Sequence, residues 1–225
     1  MKRALLLAVL WVPLTLQALD RPRVEWRDTY ESRLEILALL QTLNSELLAA
    51  SSATRTLEAW CGEHELAAVP KIVATRVPGV RKEPAAEQLL RLGVGDASEV
   101  QYRRVELRCG AHVLSEADNW YVPARLTPEM NALLETTDTP FGRAVQPLQP
   151  YRRTIAVTML WAPLPRGWEQ QNRSRFRARG RRTLAIPKEV FQHRAVLYTA
   201  DHRPFSEVVE TYQAEVLAFR RGGER

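Results

Sequence analysis

The sequence VQYRRVELRCGAHVLSEADNWYVP, residues 100–123, carries the clearest structural signal in the chain. Its first ten residues alternate in polarity, which is typical of a β-strand with one buried face. That face carries Arg103, Val105, Leu107 and Cys109. Residues 109–112 predict a hairpin turn and residues 113–122 the return strand. The strand ends at Pro123, because proline lacks the N–H group that a strand ladder needs. An antiparallel strand pair is therefore the centre of the predicted fold.

Helices and further strands flank this hairpin. Residues 28–49 form a predicted helix with Asp28 as its N-cap and Glu31 as the capping-box partner; its apolar face holds Leu34, Leu37, Leu40, Leu43 and Leu47. A second helix begins at Ser51 or Ser52. Shorter helices are predicted over residues 85–92 and 127–134, and further strands over residues 71–76, 154–160, 195–198 and 205–212. Because strands and helices do not alternate regularly, the sequence predicts an α+β fold with a single antiparallel sheet flanked by helices.

The first 18 residues have the pattern of a secretory signal peptide. Lys2 and Arg3 precede an apolar run over residues 4–16, and Ala18 is a small residue before a polar turn. The run is shorter than the roughly 20 residues that span a bilayer, and no second run approaches that length. We therefore expect residues 19–225 to form one periplasmic or secreted domain without a stable membrane span. An uncleaved membrane anchor is the alternative.

Export changes the expectation for the two cysteines, Cys61 and Cys109. In an oxidising compartment two cysteines often pair, so we predict a disulfide, with two buried free thiols as the alternative. Neither cysteine belongs to a CxxC motif or has a histidine at zinc-site spacing. The chain also lacks a P-loop, a GxSxG elbow and an HExxH motif.

The composition of the 225-residue chain is that of a globular protein, with 45% hydrophobic and 26% charged residues. These values argue against a disordered chain or a coiled coil. The net charge of +6 suits an anionic ligand without specifying one. A polar segment, residues 163–187, contains an arginine-rich cluster at residues 173–182, which we interpret as an insertion or flexible loop. We do not expect a nucleic-acid partner, because an exported protein rarely meets one.

Three stretches of the chain resemble the chorismate lyase family, in the family's order. The first is LLAASSATRTLE, residues 47–58, which is similar to the family's helix–Ser-x-Thr–helix opening. The second joins the arginine-bearing strand from Tyr102 to the turn TPFGR, residues 139–143. The third is a closing hairpin with HRAVL at residues 193–197 and a glutamate on its second strand. The resemblance spans roughly residues 36–217 and implies a fold that some transcription regulators use as an effector-binding domain.

This resemblance also implies a reaction and a set of site residues. Chorismate lyases eliminate pyruvate from chorismate to give 4-hydroxybenzoate, without a metal or cofactor. The reaction needs a cation for substrate carboxylates, fixed backbone N–H donors and a carboxyl group for proton transfer. By position in the family's pattern, Arg104, Phe141 and Gly142 would bind the substrate and Glu210 would be the catalytic residue.

Two of these assignments have rivals in the sequence. Arg103 shares a face with apolar residues, where a buried arginine needs an anion, and Glu207 lies one alternation class from Glu210. The chain also departs from the family's pattern, with Phe141 in place of the usual leucine and Asn119 in place of an arginine.

The sequence therefore favours an exported lyase acting on chorismate or on a related small aromatic or enolpyruvyl carboxylate. The alternatives are a non-catalytic periplasmic protein that binds a small aromatic carboxylate, and an envelope-interaction protein that uses the arginine-rich segment. The sequence does not specify an oligomeric state.

Overall fold

The computed structural model describes residues 25–173 and 182–219. Among them are six strands: β1 (Ile72–Arg76), β2 (Gln101–Cys109), β3 (His112–Tyr121), β4 (Tyr151–Met159), β5 (Glu189–Tyr198) and β6 (Pro204–Gln213). They form one sheet in the order β1-β2-β3-β6-β5-β4, and every neighbouring pair is antiparallel. This sheet, together with its helices, confirms the predicted α+β fold.

Helices cover both faces of the sheet. They are α1 (Tyr30–Ala49), α2 (Ala53–Glu63), α3 (Ala86–Leu92), α4 (Pro128–Thr136) and α5 (Phe141–Ala144). The main core contains buried residues of α1 and α2 packed with one sheet face, whereas a smaller cluster joins Leu92 of α3 to Trp120 and Val209 on the opposite face. None of the described helices is long and apolar enough to cross a membrane.

The first helix differs from its prediction in its cap and in its buried face. Thr29 is the N-cap, because its side chain accepts a hydrogen bond from the N–H of Ser32. Asp28 instead pairs with Arg33 at 2.6 Å. Residues Ile36, Leu40, Leu43 and Leu47 are fully buried, whereas Leu34 is exposed. The buried face is thus rotated relative to the predicted one.

The hairpin of β2 and β3 contains a bulge. Leu107 pairs with Ser115, but Arg108 pairs with Val113, so Leu114 is an extra residue on β3. This extra residue shifts the strand pairing by one position. A residue located by counting across the turn without the bulge is therefore assigned to the wrong face of the sheet. The turn itself places Gly110 at φ +56°, a backbone conformation that favours glycine.

A disulfide joins Cys61 of α2 to Cys109 at the end of β2, with 6.4 Å between the Cα atoms. This confirms the predicted pairing. Both cysteines are fully buried in the main core. The bond therefore fixes α2 against the sheet.

Two segments with sequence predictions lie outside the described residues. They are residues 1–18, the predicted signal peptide, and residues 174–181 of the arginine-rich cluster. The parts of the 163–187 segment that are described pack on the start of α1. Leu164 contacts Tyr30, and the N–H of Leu184 donates to the carbonyl of Trp26 at 2.7 Å.

Candidate functional site

A cavity of about 820 Å³ lies between one face of the sheet and the helices α2 and α5. This volume lies within the range that small-molecule sites usually have. Its buried wall is formed by the central strands, with Val105, Leu107, Ala117 and Val208 as apolar members. On the solvent side, exposed residues such as Arg55 and Arg143 lie at the mouth.

Arg103 is the buried cation of this wall. It is 6% exposed, and its Nη2 donates to the carbonyl of Thr139 at 3.1 Å and, more weakly, to that of Thr137 at 3.5 Å. Its Nε and Nη1 atoms have no acceptor among the described residues. Burial, and then the neighbouring charge of Arg76, lower the pKa of Arg103. No carboxylate is within ion-pair distance of Arg103 in the described part of the chain.

Arg104, which the resemblance selected, lies on the opposite face of the sheet. It pairs with Glu116 and lies 3.6 Å from Asp118, and Lys82 pairs with the same Asp118 at 2.5 Å. The hydrogen bond to Glu116 raises the pKa of Arg104. Arg104 therefore does not line the cavity and already has carboxylate partners, whereas the rival residue Arg103 lines it.

The two candidate glutamates also point to opposite faces. Glu210 lines the cavity, whereas Glu207 lies on the α3 side and accepts two hydrogen bonds from Arg91, at 2.7 and 2.9 Å. The register explains why Arg103 and Glu210 share a face: Val105 pairs with Ala117, which pairs with Glu210. Alternation then brings Arg103, two residues from Val105, to the same side.

A second buried arginine, Arg152 on β4, was missed by the sequence analysis. Its Nη1 lies 2.6 Å from Oε2 of Glu210, and Tyr212 donates to the same oxygen at 3.1 Å. Burial alone would lower the pKa of Arg152, but the contact with Glu210 outweighs it and the pKa is raised. Its Nε and Nη2 have no acceptor among the described residues. The buried part of the cavity wall thus holds two arginines and one glutamate.

Phe141 and Gly142 form the first turn of α5 and line the cavity, as the resemblance implies they should. The first N–H groups of a helix have no acceptor within it, so they are available to an oxygen atom of a ligand. A Cβ atom at position 142 would lie 3.5 Å from Oγ of Ser52 and 3.6 Å from Oγ1 of Thr54, which is ordinary van der Waals contact. The first turn of α5 therefore packs against the start of α2 at the cavity.

His193 is fully buried behind the cavity wall and is paired in register with Glu210. Its Nε2 lies 2.7 Å from Oδ1 of Asn44 on α1, and its Nδ1 has no partner in the described structure. Burial, and then the charge of Arg152, lower the pKa of His193 to about 4. The imidazole is therefore neutral at pH 7 and is not a second cation for a ligand.

Comparisons with known proteins identify one close relative. The chain is 47% identical over 208 residues to the uncharacterized protein y4mC of Sinorhizobium fredii (strain NBRC 101917 / NGR234), covering 92% of this chain and 86% of that protein. No family model matches the chain.

Solved structures give only weak matches. PhnF from Mycobacterium smegmatis is 13% identical, with a TM-score of 0.49 over 90% of this chain and 95% of that one. The effector domain of PhnF from the same organism has a TM-score of 0.46 at 13% identity, over 73% of this chain and 90% of that one. A GntR-family transcriptional regulator from Enterococcus faecalis V583 has a TM-score of 0.40 at 9% identity, over 68% and 99%. By its sequence identity, the chain belongs to the same family as y4mC.

Proposed function

We propose that the cavity binds a small aromatic or enolpyruvyl carboxylate, with the acidic group held by Arg103. The observation that carries this proposal is a buried guanidinium that has two nitrogens without acceptors and lines a cavity of ligand size. A buried cation without a counter-anion is costly, and a ligand carboxylate offsets that cost. Arginine also matches the planar geometry of a carboxylate better than lysine does.

The charges and the apolar surface of the cavity support the same class of ligand. Of the three buried ionisable groups on the wall, Glu210 compensates Arg152, so the charge of Arg103 is left for a ligand. Valine and leucine side chains cover the wall between the two arginines and suit an apolar ring. The α5 amides at Phe141 and Gly142 supply donors for further ligand oxygens.

Calorimetric titration with 4-hydroxybenzoate tests this proposal. Replacing Arg103 by methionine removes a charge-assisted hydrogen bond, so we expect affinity to fall by about 1.5–3 kcal/mol, or about 10- to 150-fold. The variant Arg104→Met is the matched control, because the same charge is removed one residue away on the other sheet face. Equal affinity of the two variants and the parent protein would contradict the proposal.

A second candidate function is the lyase reaction, and the presence of Glu210 in the same cavity favours it. In this reaction the ring of chorismate loses a proton and the enolpyruvyl C–O bond breaks, giving 4-hydroxybenzoate. The released enolpyruvate takes up a proton to become pyruvate. Atoms and electrons balance without a cofactor, and a carboxylate that moves one proton is sufficient chemistry. In this reaction Glu210 would be the group that moves the proton, and its contact with Arg152 would hold its carboxylate in position.

Incubation of the protein with chorismate, followed by detection of 4-hydroxybenzoate and pyruvate, separates the two functions. A lyase forms both products in equal amounts, and Glu210→Gln abolishes turnover while leaving 4-hydroxybenzoate bound. A binding protein forms neither product but retains the Arg103-dependent affinity.

We also propose that the protein is exported. The basic and apolar pattern of residues 1–18 supports this proposal, and so does the disulfide between Cys61 and Cys109, because structural disulfides are rare in the cytosol. Amino-terminal sequencing of protein from native cells tests it. We expect a start near Leu19, and a soluble cytosolic chain beginning at Met1 would contradict it.

A further inference from the structure

We propose that two copies of this chain pair through the outer edge of β4, so that their sheets form one continuous antiparallel sheet. This inference is independent of the ligand proposed for the cavity. It rests on the open edge of β4, which carries an uncharged stretch over residues 154–160, and on the contrast with the other edge of the sheet, at β1.

The edge at β1 is closed by the chain itself. The N–H of Ala74 points away from β2 and donates to the carbonyl of Asp138 at 3.1 Å. Arg76, at the end of the same strand, donates to the carbonyl of Glu135. The strand is also short, with five residues. Charged side chains, short strands and a covering loop are the usual means by which proteins prevent edge-to-edge pairing.

The edge at β4 is less protected among the described residues, where its devices are one outward charge, Arg153, and a bulge at Ile155, an extra residue relative to β5. It is nine residues long and lies at the end of the strand order. Within residues 25–173 and 182–219, no backbone group beyond β5 is hydrogen-bonded to it. An unpaired ladder of N–H and C=O groups of this length is a template for another strand.

Several side chains of this strand are apolar and exposed. Among the described residues, exposed large hydrophobic side chains concentrate here: Tyr151, Ile155, Val157, Met159 and Leu160. A contiguous group of this kind marks an interaction site more often than scattered single residues do. Residues 154–160, TIAVTML, contain no charged residue, although charged residues make up 26% of the chain.

The distribution of charge selects a second copy of this chain as the occupant. Val157 is the midpoint of the neutral run and lies in the regular part of the strand after the bulge, so a two-fold axis there places Val157 opposite the partner's Val157 and Ala156 opposite the partner's Thr158. The only outward charge on the strand, Arg153, then lies at the far end from the other Arg153; the neighbouring Arg152 is turned inward to Glu210. Parallel pairing in register would place the two Arg153 side chains together. A closed two-fold dimer is therefore the arrangement that this edge favours.

Analytical ultracentrifugation of the full chain at micromolar concentrations tests the proposal. We expect a dimer. Val157→Arg places two like charges directly opposite each other and removes apolar contacts, so the dimer dissociation constant should rise by about tenfold or more. Val73→Arg is the matched control, since Val73 is 39% exposed on the closed edge and Val157 is 40% exposed on the open one. This control should remain dimeric, and circular dichroism of both variants verifies folding.

A covalent readout keeps the proposal testable if Val157→Arg proves unstable. Val157→Cys should form a disulfide with the partner's equivalent cysteine on mild oxidation, whereas Val73→Cys should not. Three results would overturn the proposal: a monomeric parent chain, a dimer that Val157→Arg leaves intact, or open-ended oligomers. A monomeric chain whose β4 pairs with a strand of a different protein would also overturn the proposal, since the parent chain is then a monomer.

Discussion

Replacing Arg103 by methionine should have opposite effects on ligand binding and on stability. Residues that hold a fold together lose stability when they are replaced. A residue that is kept for a ligand has unsatisfied groups in the free protein, so its replacement relieves a cost. Arg103 is such a residue, because two of its nitrogens have no acceptor among the described residues.

The magnitude follows from its contacts. Replacement removes one good hydrogen bond, from Nη2 to Thr139, and a marginal one to Thr137, together worth about 1.5–3 kcal/mol. It also removes two buried donors without partners, which cost about 1–3 kcal/mol each. Methionine keeps most of the apolar stem. These ranges give a net change from about 1 kcal/mol of destabilisation to about 4.5 kcal/mol of stabilisation. We expect the middle of this range, about 2 kcal/mol of stabilisation, or a rise in Tm of about 4 to 8 °C for a chain of this size.

Thermal unfolding without ligand and calorimetry with 4-hydroxybenzoate measure the two effects on the same protein. The comparison variant is Arg152→Met, which leaves Glu210 buried without its partner and should destabilise the protein by about 3–5 kcal/mol. A clear loss of Tm in Arg103→Met would mean that this arginine is structural. Together with unchanged affinity, it would refute the anion site.

Two further predictions concern the rest of the fold. Replacing both Cys61 and Cys109 by alanine removes a cross-link with a sequence separation of 48, so unfolding under oxidising conditions should become easier by about 4 kcal/mol, measured by denaturant titration; an unchanged midpoint would show that the thiols are free in solution. His193 has a folded pKa of about 4, below its ordinary value of 6.5, so the unfolded chain binds more protons between these values. Stability should be independent of this group above pH 6.5 and should fall by about 2–3 kcal/mol as the pH drops towards 4; His193→Gln should lack this fall, and an identical pH profile in the variant would contradict the assignment.

The alternation of residues 100–109 predicted which face of β2 is buried at the cavity. The family resemblance selected Arg104, which lies on the other face. Alternation put Arg103 beside Val105 and Leu107 and so predicted its burial correctly. Matching the chain by position to the family's pattern selected Arg104, because such a match assumes a regular hairpin. The bulge at Leu114 breaks that regularity, and a change of one residue moves a side chain to the other face of the sheet.

Arg152 could not be predicted because the start of its strand is charged. The sequence analysis began β4 at Thr154, after two arginines that are typical of a loop, whereas the strand begins at Tyr151. Burial of Arg152 depends on Glu210, which is 58 positions away in the chain and becomes a neighbour only when β4, β5 and β6 pair. A buried ion pair of this kind has no local sequence signal. The disulfide and the positions of α1 to α4, by contrast, depend on local patterns or on compartment and were predicted.

A crystal structure of the protein with 4-hydroxybenzoate at saturating concentration tests the central claim most directly. We predict the ligand in the cavity between the sheet and α2, with its carboxylate at hydrogen-bond distance from the guanidinium of Arg103. We also expect the Phe141 and Gly142 amides beside it. A ligand bound on the opposite sheet face at Arg104, or an empty cavity at that concentration, would contradict the account.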